Sequence, residues 1–128
     1  MNEPGRPEPQ IVIVGPCASG KTTLVRGLWA RGYAGARVVA QEHSGVSDLW
    51  QLRGRPDALI YLDARLATIM ARQHRADWTD DYLAEQKRRL SEAEAACDLL
   101  LPTDDLDREQ VLDRVCAFLK NRLAGRNQ

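Results

Sequence analysis

The chain has 128 residues, the size of one domain. Its 18 basic and 18 acidic residues cancel, which argues against a general nucleic-acid binder, whose domain would be basic. Apolar residues make up 44%, enough for an ordinary core, yet no apolar run approaches the ~20 residues of a membrane helix. The three cysteines, Cys17, Cys97 and Cys116, are odd in number and match no zinc spacing. They suit a reducing compartment better than a disulfide scaffold, and a cytoplasmic location is expected.

The opening "MNEPGRPEPQ" is proline-rich and lacks a hydrophobic stretch, so it reads as a flexible tail over 1–9 and not as a secretory signal. A single domain over 10–125 follows. Residues 11–14, "IVIV", form a β-branched apolar run, the pattern of a strand buried on both faces. A helix should start near Gly20, bury Leu24, Val25, Leu28 and Trp29, and stop at Gly32. A second strand is expected over 37–41. A loop with one short helix around 47–52 leads to a third strand over 57–63. Helices are expected over 65–75 and 79–96, the latter capped by Thr79 with Asp80 and Asp81 in its first turn. A fourth strand ends at Pro102. The final helix starts near Asp107, where Gln110 completes a capping-box spacing, and carries the stripe Val111, Leu112, Val115, Phe118 and Leu119.

Strands alternating with helices predict an α/β fold: a mainly parallel sheet of about four strands, order 2-1-3-4, with helices on both faces in three layers. The switch point falls beside the first strand, where open α/β sheets take ligands.

That strand is followed by Gly15-Pro16-Cys17-Ala18-Ser19-Gly20-Lys21-Thr22, which fits the Walker A spacing G-x-x-x-x-G-K-[ST]. Glycines let the backbone curl its N–H groups toward phosphate oxygens, and the helix N-terminus adds partial positive charge. Lys21 is placed to reach the β- and γ-phosphates, and the Thr22 hydroxyl to ligate Mg²⁺; Thr23 extends the cradle. Cys17 reads as a small loop side chain, not a redox group. Two acids end strands close by and are candidates for the metal, Glu42 and Asp63; Asp63 also suits an N-cap. Phosphoryl transfer needs further cations at the γ-phosphate. Arg72, His74 and Arg75 share one helical turn, and Arg88 and Arg89 lie further on among Glu85, Glu92 and Glu94, as ordinary surface pairs would.

"GPCASGKTTL", then "RPDALIYLDA", an arginine-bearing helix, "CDLLLPTDDL" and a final helix together resemble the P-loop NTPase superfamily, and within it the thymidylate, deoxynucleoside, adenylate and gluconate kinases. The resemblance implies ATP or another NTP as donor, Mg²⁺ as cofactor, and a lid over 70–90 whose Arg72 and Arg75 close on the phosphates. It also implies adenine contacts at Thr103 and Asp104. It favours Glu42 over Asp63 for the metal, because those kinases take their acid from a strand between the first helix and "YLD".

Those kinases carry a long acceptor-binding insertion before "YLD"; only residues 33–57 stand there in this chain. His43, Ser44, Asp48 and Trp50 are therefore the candidates to contact a small acceptor, with Glu42 or Asp48 to take its proton. The leading expectation is a compact kinase of a small metabolite or nucleotide, with no nucleic-acid or membrane partner. The competing one is a nucleotide-binding or NTPase regulatory module without such an acceptor. A GTPase is disfavoured by the lack of N-K-x-D and D-x-x-G motifs.

Overall fold

The computed structural model describes residues 8–73 and 78–124. Four strands, β1 (Ile11–Val14), β2 (Ala36–Val38), β3 (Ala58–Asp63) and β4 (Leu99–Pro102), form one parallel sheet in the order β2-β1-β3-β4. The expected strand order is borne out. Five α-helices are present among the described residues: α1 (Lys21–Ala30), α2 (Leu66–Gln73), α3 (Asp80–Arg89), α4 (Ser91–Ala96) and α5 (Arg108–Ala124).

Period-two alternation divides the sheet's side chains between two cores. Ile11, Ile13, Ala58, Ile60 and Leu62 join Leu24, Val25 and Leu28 of α1 and Val111, Val115, Cys116 and Leu119 of α5. On the other face Val12, Val14, Leu59 and Tyr61 meet Trp50, Leu90 and Ala93. Both faces of β1 and β3 are thus sealed, which explains why "IVIV" and "ALIYL" need no polar position.

Helix ends follow local chemistry. After α1, Gly32 adopts φ +96°, its N–H bonds Trp29 O at 3.0 Å, and Tyr33 N–H bonds Leu28 O at 2.9 Å. This is a Schellman stop. The Thr79 hydroxyl accepts from Tyr82 N–H at 3.1 Å, capping α3. Asp107 and Gln110 exchange reciprocal bonds of 2.9 and 2.8 Å, a capping box that opens α5.

Several sequence expectations are corrected. The helix expected over 79–96 is two helices meeting at Leu90, which is fully buried between Ala93, Trp50 and Tyr61. Packing that side chain under the sheet turns the chain where local propensity would run on. The second strand ends at Val38 instead of Gln41, because residues 41–43 form a 3₁₀ turn. A second 3₁₀ turn, Leu49–Gln51, stands where a short helix was expected. Trp29 is not core: it is 53% exposed and donates its indole N–H to Ala36 O at 2.8 Å. No described helix is long and apolar enough to cross a membrane.

Candidate functional site

The glycine loop, residues 15–20, leaves the carboxyl end of β1 and enters α1 directly. Gly15 sits at φ +150°, and a Cβ there would lie 2.1 Å from Leu62 O, so only glycine fits against β3. Gly20 (φ +101°) and Ala18 (φ +59°) also lie at positive φ. Such a backbone is costly for alanine and persists only when its surroundings hold it. Here they do: Ser19 N–H bonds Pro16 O, the Arg72 guanidinium donates to Ala18 O at 2.7 Å, and the buried Gln86 side-chain carbonyl accepts from Cys17 N–H at 3.1 Å. The ladder of α1 begins with Leu24 N–H to Gly20 O, so the first N–H groups of the helix have no intrahelical partner.

Lys21 is buried within this curl. Its ammonium donates to Gly15 O at 2.8 Å and Pro16 O at 2.9 Å, and pairs with Glu42 Oε2 at 2.8 Å. Glu42 reaches it from the 3₁₀ turn after β2 and is 3% exposed. Its other oxygen, Oε1, is buried without a partner, as is the Ser19 hydroxyl. Buried polar atoms are nearly always satisfied, so two orphans at one loop mark a place built for polar company. Thr22 and Thr23 are exposed on the first turn of α1.

Of the two candidate acids, only Glu42 contacts Lys21. Asp63 Oδ1 accepts from Ala64 N–H at 2.9 Å and pairs with Lys87 at 3.4 Å. Nor does Asp63 cap the following helix, as the sequence suggested. Asp104 does so from across the fold, accepting from Arg65 N–H at 2.8 Å and the Thr68 hydroxyl at 2.6 Å. Burial raises the Asp104 carboxyl pKa, but these bonds and the Arg65 charge outweigh it and hold it below its usual value. Asp104 is thus spent on α2.

Thr103 is 1% exposed, and its hydroxyl lies 2.9 Å from Asp63 O and 3.3 Å from Ser19 O while accepting from Arg72 at 3.1 Å. Arg72 also donates to Thr103 O at 2.9 Å. Arg72 and Thr103 therefore clasp the loop's outer side, and both line a cavity of about 370 Å³ with Ser19, Thr23, Leu106 and Val111. Arg75 and His74 lie outside the described residues. Arg88 pairs with Glu85, and Arg89 pairs with Glu85 at 3.3 Å and donates weakly to Glu42 O at 3.4 Å.

The expected acceptor residues part company. Trp50 is 3% exposed beneath the sheet and does not face the cleft. The Ser44 hydroxyl closes a local turn with Val46 N–H. His43 does reach the loop: its Nε2 lies 3.2 Å from Cys17 Sγ and 3.9 Å from Glu42 Oε2. Sequence reasoning missed Gln86, which holds Cys17 through both its amide oxygen and its nitrogen, the latter donating to Sγ at 3.2 Å. Nothing local could have flagged it, since the pair is separated by 69 residues. Cys97 lies apart. Burial, then the Asp98 and Glu94 carboxylates, push its thiol up and favour the protonated form.

No protein-family model matches the chain, and no curated protein matches it.

Proposed function

We propose that the chain is a P-loop NTPase-type protein that binds ATP with Mg²⁺ at loop 15–22, and that it is a compact kinase passing the γ-phosphoryl group to a small metabolite or nucleotide. The observation that carries this reading is Lys21: a buried ammonium held by Gly15 O, Pro16 O and Glu42 inside a positive-φ loop that opens a helix. Two of its three partners are neutral carbonyl oxygens, which a polyanion can replace.

The residues fit both groups. For the triphosphate, the free N–H groups of the first turn of α1, Lys21 and the unsatisfied Ser19 hydroxyl supply donors. For the metal, the Thr22 hydroxyl and the orphaned Glu42 Oε1 supply hard oxygen donors. Held there, Mg²⁺ would supply neutralisation of the charge that develops on the phosphoryl group in transfer. Lys21 exchanges its two carbonyl partners for phosphate oxygens and keeps Glu42 beside it. Arg72 carries a second positive charge to the same loop from α2, and the cavity beside it, ending at Thr103, is open to the nucleoside. Catalysis is positioning and electrostatics supplied by these groups.

A second reading, a nucleotide-binding or NTPase regulatory module without a small acceptor, is favoured by one observation: Trp50 and Gln41 are both buried and spent on holding their own segment to the sheet. Calorimetric titration with MgATP tests the shared part of both readings. One binding site is expected, and it should be lost in Lys21→Ala; unchanged affinity in that variant refutes them. Recovery of a phosphorylated metabolite from a pool supplied with ATP then separates kinase from module.

A further inference from the structure

Cys17, Glu42 and His43 each offer one donor atom, and all three lie within 4.8 Å of one another. Two distances are given by direct contacts: Cys17 Sγ to His43 Nε2, 3.2 Å, and His43 Nε2 to Glu42 Oε2, 3.9 Å. A tetrahedral zinc ion holds sulfur at about 2.3 Å and nitrogen or oxygen at about 2.0–2.2 Å, which puts neighbouring donors roughly 3.3–3.6 Å apart. Shifts of a few tenths of an ångström bring the two measured pairs to that spacing.

We infer that Cys17, His43 and Glu42 form a binding site for a borderline-soft divalent cation of the Zn²⁺ class, with a fourth position open to water. This goes beyond nucleotide binding; it shares Glu42 with the magnesium role given above, so it is assigned to the nucleotide-free chain. A second observation points to the cation: Glu42 is 3% exposed, yet its Oε1 has no hydrogen-bond partner, so this buried carboxylate keeps an unused acceptor oxygen after pairing with Lys21. Glu42 has two oxygens for two cations, one for Lys21 and one for the metal. Thiolate and imidazole donors select zinc over magnesium or calcium, which prefer all-oxygen shells.

The outer shell fits as well. Gln86 is 2% exposed and is fixed to Cys17 by two contacts, its amide N–H donating to Sγ. Such a donor orients a ligating sulfur and carries part of its charge. On binding, the Cys17 thiol releases its proton to solvent as the metal–sulfur bond forms. One thiolate and one carboxylate then balance the dication, so the filled site is neutral before Lys21 is counted. Three protein ligands with one open position is the arrangement of reactive rather than purely structural zinc sites.

The test is titration of the nucleotide-free full-length chain with Co²⁺, followed by absorption spectroscopy, and competition by Zn²⁺. One equivalent should bind with a thiolate-to-cobalt charge-transfer band, which Zn²⁺ should erase. Cys17→Ser should abolish the band, and Cys97→Ser should leave it intact. His43 is exposed, so His43→Ala should fold normally while its metal affinity falls by more than the roughly 10- to 100-fold typical of losing an outer-shell partner. Absence of a stoichiometric cobalt complex in the wild-type chain overturns the inference. So does a band that persists in Cys17→Ser, or an affinity unchanged in His43→Ala.

Discussion

The glycine loop (15–20) and the segment between β2 and β3 (39–57) meet at the same edge of the sheet, but they are held in opposite ways. The loop is shaped by its backbone: Gly15 against Leu62 O, Ala18 and Gly20 at positive φ, and distant side chains, Arg72 and Gln86, gripping it from outside. The 39–57 segment is held by side chains it buries itself. Gln41 donates to Val46 O and accepts from Trp50 N–H, and Trp50 closes the second core. The first region leaves the Ser19 hydroxyl and the first N–H groups of α1 available; the second spends most of its own polar groups on staying in place. Only Glu42 and His43 of that segment reach the loop, so the chemistry of the site concentrates at this one joint.

Removing the anchor of the second region should have the largest effect. Trp50→Ala should destabilise the fold by about 3–5 kcal/mol through lost burial and the cavity left behind. Chemical denaturation measures this, and a loss below about 1 kcal/mol breaks the contrast, since Trp50 would then not anchor the segment.

Lys21→Ala should cost a similar amount, about 3–5 kcal/mol, because Glu42 is left charged and unpaired in a buried position. The double variant Lys21→Ala/Glu42→Gln should regain much of that stability. If the single and double variants melt together, the pair is not the coupling assigned to it.

Asp104→Asn should cost about 1 kcal/mol by weakening the bonds to Arg65 N–H and Thr68. Because the folded carboxyl titrates below its unfolded value, its contribution is complete above the unfolded pKa, near 4, and is lost as the pH falls through the folded value. Denaturation of wild type and variant at several pH values should therefore show a gap at neutral pH that closes in acid. A gap that widens in acid contradicts the assignment.

The smallest effect on stability is expected at His43, an exposed side chain: His43→Ala should change it by no more than about 0.5 kcal/mol. A larger loss makes His43 part of the segment's framework instead of the site.

What could be read from the sequence divides along local and distant lines. The buried strand "IVIV", the Gly32 stop, the Thr79 cap and the Asp107–Gln110 box are decided within a few residues, and each stands where its pattern placed it. The strand order followed from the alternation of elements. The break at Leu90 was invisible because it is made by packing against Trp50 and Tyr61 on other elements. The helix start at α2 looked like a task for adjacent Asp63, yet the carboxylate that does it comes from Asp104, 39 residues from Arg65. At the site, Glu42 was legible as an acid following the second strand, although that strand stops at Val38 and a 3₁₀ turn carries Glu42 in. Its contact with Lys21, the approach of His43 to Cys17 and the grip of Gln86 are products of folding and have no signature in spacing.

The central claim is that Lys21 waits in its carbonyl-and-carboxylate nest for a polyphosphate. Isothermal titration of MgATP into the wild type and into Lys21→Ala/Glu42→Gln, which keeps a folded core without a stranded charge, tests it most directly. The wild type should bind at one site, and the folded double variant should lose at least roughly 10- to 100-fold in affinity, the worth of charge-assisted bonds to the phosphates. A wild type that binds no nucleotide, or a double variant that binds it equally well, contradicts the account.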